Sequence, residues 1–118
     1  MEQKLYDLKK LQEIAMGDDS FVHEMLEAFI KNVSIDIETV KSLKVAENWS
    51  GVAEKAHKLA SNFAYLNNSN LHKQASNIEK DVFYGNLTGI ADKTDKLYNE
   101  TILLIEQLKQ DFDYLSHS

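Results

Sequence analysis

The sequence predicts an all-α fold, an up-down antiparallel four-helix bundle with a short additional N-terminal lid helix. Three observations predict it. Proline is absent and only four glycines occur in 118 residues, which favours long helices over a turn-rich β-sandwich. Apolar residues recur at helical spacing almost throughout. The polar breaks between these runs span about two to five residues, so sequential helices must lie antiparallel.

The elements follow in order. Leu5, Leu8, Leu11 and Ile14 mark a short first segment that stops at Met16-Gly17, with Gly17 suited to a left-handed C-cap. Asp18, Asp19 and Ser20 are good N-cap residues for a much longer second helix. Val22, Leu26, Phe29, Val33, Ile37, Val40 and Lys44 set its rhythm, with Met25 and Ile30 beside them. It should end near Ala46, giving a rod on the order of 38 Å long. Glu47-Asn48-Trp49-Ser50-Gly51 is the next break, with Asn48 or Ser50 as cap.

The third helix carries Val52, Ala56, Leu59, Phe63 and Leu66 on one stripe. Asn67-Asn68-Ser69-Asn70 ends it and caps a fourth, whose stripe is Leu71, Ala75, Ile78 and Val82. After Gly85-Asn86-Leu87-Thr88-Gly89, a fifth helix uses Ile90, Leu97, Thr101, Leu104, Leu108, Phe112 and Leu115. With no linker, repeat or low-complexity stretch, residues 1–118 read as one domain.

Composition removes several function classes. Cysteine is absent, so neither a disulfide framework nor thiolate chemistry is available. All thirteen basic residues are lysine, which excludes bidentate arginine recognition of phosphate. A net charge of −6 opposes nucleic-acid binding, which needs a basic face. No apolar run approaches the roughly 18 residues of a membrane span. Met1 to Leu5 carries two charges and leads into no apolar core, unlike a secretory signal. The five Asn-x-Ser/Thr triplets are then a by-product of nine asparagines. The chain is expected to be a cytoplasmic monomer.

Four histidines are the side chains poised for chemistry near neutral pH. His23 and His72 begin helices and His117 sits near the terminus. His57 differs. It falls about 120° from the centre of the third helix's apolar stripe, at the boundary of core and solvent. Its neighbours at three and four residues are Ala53, Glu54, Ala60 and Ser61, with Ala64 a turn further on. A ring among small residues stands proud and can be approached closely. Lys58 could swing toward a phosphoryl group on that ring, and Glu79, flanking the fourth helix's stripe, could accept from its inner nitrogen.

Ala56-His57-Lys58-Leu59-Ala60-Ser61-Asn62-Phe63-Ala64-Tyr65-Leu66 resembles the signature of histidine-containing phosphotransfer (HPt) domains, approximately A-H-x-L-K-G-S-x-x-x-L-G. The resemblance runs from Tyr6 to Phe112 and includes Gly-Asp-Asp-Ser-Phe-Val-His-Glu-Met-Leu-Glu-Ala-Phe at the start of the long helix. It implies that His57 is the phosphoacceptor, while Lys58, adjacent in sequence, is the lysine left close by to stabilise the phosphoryl group. It further implies that Glu79 orients the imidazole. Ile14, Phe21, Met25 and Ser61 would then meet the partner. The chain departs from the pattern at three places: Ala60 replaces the usual lysine, Ser61 a glycine, and Asn67 a second glycine.

The function so implied is that of a phosphorelay carrier. His57 would accept a phosphoryl group from a receiver-domain aspartate and pass it to another receiver. Response-regulator receiver domains and a hybrid sensor histidine kinase are the implied partners. No nucleotide loop of the G-x-x-x-x-G-K-S/T type occurs. The chain is therefore expected to be no enzyme and to need no cofactor or metal, Mg²⁺ belonging to the receiver.

A competing reading is a helical adaptor that binds a receiver or kinase without taking phosphate; the missing lysine at Ala60 is its support. A sensor-kinase dimerisation helix pair would continue its histidine through glutamate to a proline, whereas Lys58 follows His57 here. A metal site of His23, His57, His72 and Glu79 would need three helices to converge and has no His pair at i, i+4.

Overall fold

In the computed structural model, which describes residues 4–112, the chain forms five helices with no strand among the described residues. They are α1 (Lys9–Ile14), α2 (Asp19–Val45), α3 (Trp49–Tyr65), α4 (Ser69–Phe83) and α5 (Ile90–Asp111). The four long helices touch in a cycle, α2 on α3, α3 on α4, α4 on α5 and α5 on α2, while α1 rests on α2. The resulting body measures 43 × 29 × 26 Å. No helix among the described residues is long and apolar enough to cross a membrane.

Side-chain caps set most boundaries. Asp18 accepts from the Phe21 amide at 3.3 Å, Asn48 from Gly51 at 3.0 Å and Asn68 from Leu71 at 2.9 Å. Each satisfies one of the amides that a helix leaves unpaired in its first turn. Met16, Glu47 and Asn67 adopt positive φ in the turns after α1, α2 and α3. Gly17 also has positive φ, so two consecutive left-handed residues close the first turn, where a single glycine cap was expected.

The expected stripes converge on one core. Val22, Leu26, Phe29, Val33, Ile37 and Val40 of α2 are buried, as are Val52, Ala56, Leu59 and Phe63 of α3 with Leu66 at its end. Leu71, Ala75 and Ile78 of α4 and Ile90, Leu97, Leu104 and Leu108 of α5 complete it. Each fully buried Leu or Phe contributes about 1.5–3 kcal/mol. Val82 and Phe112 are half-buried at the margins. Lys44, placed on the α2 stripe by spacing, is half-buried and pairs instead with Asp95 at 2.7 Å. Leu115 and His117 lie outside the described residues.

The lid segment departs most from its helical spacing. Helix begins only at Lys9, because the backbone of Leu5 to Asp7 is bonded elsewhere. The Leu5 amide donates to Gln107 Oε1 at 2.7 Å, and the Leu5 carbonyl accepts from Asn68 Nδ2 at 2.7 Å. The Asp7 amide donates to the Leu66 carbonyl at 2.9 Å. These bonds cross to α5 and to the α3–α4 turn, making a strap where an isolated turn of helix would be marginal.

Candidate functional site

The core stripe of α3 faces inward through Ala56, Leu59 and Phe63, which rotates His57 outward. Its side chain is 68% exposed. Glu79 of α4 comes to meet it: Nδ1 of His57 and Oε2 of Glu79 are 2.8 Å apart. An ionised carboxylate only accepts and is negatively charged, so this ion-pair contact favours the proton on Nδ1. In the neutral ring, Nε2 then carries the free lone pair. The arrangement is a histidine paired with a carboxylate at one nitrogen, with most of its side chain open to solvent.

The surroundings are partly those expected. Ser61 is exposed one turn along α3, and Ala53 and Ala64 are half-buried. Ala60 is not part of the open skirt: it is 6% exposed, and its carbonyl accepts from His72 Nδ1 at 2.9 Å. A carbonyl cannot donate, so His72 is protonated on Nδ1 and pins α4 to α3. This histidine, which the sequence marks only as the start of a helix, is a helix tether. His23 is half-buried near the start of α2. Among the described residues no three His, Asp or Glu side chains gather as metal ligands would.

Compared with family models, curated proteins and solved structures, the chain matches none.

Lys58 does not lie toward Glu79. Its ammonium is 3.8 Å from Oδ2 of Asp36 on α2, and Lys55 stands 3.8 Å from Oδ1 of the same carboxylate. Asp36 is 6% exposed, a carboxylate buried between two lysines. Sequence reasoning missed it. The available signal was an aspartate placed among Val33, Ile37 and Val40, opposite lysines three apart on the next helix.

Of the residues expected to meet a partner, Ser61 lies one turn from His57, whereas Ile14 and Met25 lie against the C-terminal end of α3. Ile14 is 48% exposed and Phe21 43%, while Met25 is half-buried against the core. Ile14 and Met25 line a groove of 290 Å³ with Leu11, Phe29, Asn62 and Tyr65. Phe21 lies beyond those lining residues, one turn before Met25 on α2. Asn62 and Tyr65 went unnoticed in the sequence, yet they continue the ridge that starts at Lys58, at i+4 and i+7. The His57–Ser61–Ala64 ridge is its neighbour. Groove and ring are thus separated by about 8 Å of helical rise, counted from His57 to Asn62.

Proposed function

We propose that the chain is a phosphorelay carrier of the HPt kind, phosphorylated on His57 Nε2. The observation that supports this most is the exposed His57 ring held through Nδ1 by Glu79 at 2.8 Å. The architecture proposed with it is an up-down antiparallel four-helix bundle, α2 to α5, with α1 as a lid. Two pairings support that order: Asp36 faces Lys55 and Lys58 while Met25 shares a groove with Tyr65, and Glu79 meets His57 while His72 meets Ala60.

In the proposed reaction, a partner's aspartyl phosphate approaches along the solvent side of the ring. The Nε2 lone pair forms the new N–P bond as the acyl P–O bond breaks, and the bonding electrons leave with the partner's carboxylate. The ring becomes cationic, with its Nδ1 proton still shared with the Glu79 carboxylate. Transfer to a second receiver reverses these steps. Phosphoryl transfer of this type rests on positioning and charge neutralisation, so a rigid ring on a helix is a sufficient contribution from the carrier. The groove beside Ile14 and Met25, with Phe21 next to it, supplies apolar area for docking.

One observation favours the adaptor reading instead. The lysine nearest His57 in sequence is drawn toward Asp36, and the position usually held by lysine is the buried Ala60. Incubation with a phosphorylated receiver separates the two readings. A carrier acquires an acid-labile, alkali-stable label that disappears in His57→Gln. An adaptor binds the receiver and acquires none.

A further inference from the structure

Asp36 is an unusual resident of the α2–α3 seam. A carboxylate 6% exposed costs several kcal/mol of desolvation unless cations face it. Two do, one per oxygen, both at 3.8 Å. That separation is an ion pair without a hydrogen bond, so neither ammonium is locked in place. The two lysines are not equivalent. Lys55 has a side chain 30% exposed and is the deeper partner, whereas Lys58 is 58% exposed and adjacent in sequence to the exposed histidine.

We infer that Asp36 is a positioning residue that stores Lys58 on the α2 side of α3 until His57 carries a phosphoryl group, which then draws Lys58 away. This rests on the reading of His57 as phosphoacceptor. A phosphoryl group brings nearly two negative charges to a site in solvent, against the single charge that Asp36 shares between two lysines. When Lys58 leaves, Lys55 remains to neutralise the buried carboxylate. The hand-over therefore costs one weak ion pair and strands no charge. Phosphorylation and the Lys58–Asp36 contact compete, and weakening the contact must favour phosphorylation by the same factor.

The test uses the whole chain with potassium phosphoramidate as donor and ammonia in fixed excess. The donor's P–N bond breaks, the N–P bond to His57 forms, and ammonia leaves with the transferred proton. The ratio of phosphorylated to free protein at plateau is read by intact mass. Asp36→Asn should raise that ratio roughly 2- to 5-fold, the range of one exposed ion pair. Lys55→Ala, which leaves Lys58 as the sole counter-ion, should lower it by a similar factor. In a Lys58→Ala background, Asp36→Asn should change nothing. Asp36→Asn acting equally with and without Lys58 overturns the inference, as does no effect in either, while a His57-dependent label on wild type leaves the carrier reading standing. Absence of any label on wild type removes both. Should Asp36→Asn not fold, the Lys55→Ala arm and the ¹⁵Nζ shift of Lys58 on phosphorylation decide: an unchanged ratio and an unmoved shift sink the inference.

Discussion

Glu79 holds the His57 ring by one nitrogen, Oε2 to Nδ1 at 2.8 Å, while leaving most of that ring in water. The contact joins two helices at a point where neither buries the site. Orientation without enclosure is what a group that must enter another protein's active site requires.

Replacing Glu79 by Gln keeps the shape and removes the charge that favours a proton on Nδ1. Both ring tautomers then become accessible, and the cation formed on attack loses its counter-ion. Glu79→Gln should slow labelling of His57 about fivefold, the equivalent of roughly 1 kcal/mol for a partly exposed ion pair. Single-turnover labelling gives the rate. A variant as fast as wild type would show that Glu79 is an idle neighbour.

Phe21 and Met25 lie one turn apart on α2 but differ in burial. Phe21 is 43% exposed and its removal should change stability by less than about 1 kcal/mol. Met25 packs partly against the core, so Met25→Ala should cost about 1–2 kcal/mol. Urea unfolding measures both. If this end of the molecule docks a receiver, Phe21→Ala slows exchange with it at unchanged stability. A Phe21→Ala protein that is severely destabilised would put that ring in the core.

The helices and their inward residues were legible because spacing, caps and breaks agree. Asp18, Asn48 and Asn68 all cap where their side chains suggest, and the α2 to α5 stripes are buried nearly as read. His57 and Glu79 were also legible, since one helical wheel and one adjacent helix suffice to place them. Long-range polar bonds were not. Leu5 reads as the start of a helix, but its amide goes to Gln107 and its carbonyl to Asn68, partners no local pattern reveals. Lys58 reads as free to serve His57 because periodicity does not show the buried Asp36 across the seam.

Asn68 serves two elements with one amide group. Its oxygen caps α4 through Leu71 at 2.9 Å, and its nitrogen holds the Leu5 carbonyl at 2.7 Å. Asn68→Asp keeps the cap acceptor and loses only the strap. Asn68→Ala loses both. The alanine variant should therefore be destabilised by about 1–2 kcal/mol and the aspartate variant by roughly half that or less. Hydrogen exchange at Asp7 should rise in both, and exchange at Leu71 in the alanine variant alone. Equal exposure of Leu71 in the two would mean the cap contributes nothing.

The strap's far end predicts a pH dependence of its own. Asp111 on α5 accepts from Lys4 Nζ and from the Tyr6 hydroxyl, each at 2.6 Å. These bonds hold the Asp111 carboxyl below its ordinary 3.8. Partial burial, helped by the bond to Asp111 and its charge, pushes the Tyr6 phenol above its ordinary 10.0. A carboxyl lowered in the folded state contributes stability above its unfolded value and loses it as pH falls through the folded one. A phenol raised in the folded state contributes below its unfolded value and loses it as pH rises through the folded one. The anchor is thus complete between about pH 4 and 10 and weakens beyond both limits. Amide exchange at Leu5 and Asp7, corrected for the intrinsic rate, should show a protected plateau that falls away at each end. In Tyr6→Phe the alkaline fall should shrink while the acid one stays. An alkaline loss undiminished without the hydroxyl would assign it to another group and sever Tyr6 from the strap's stability.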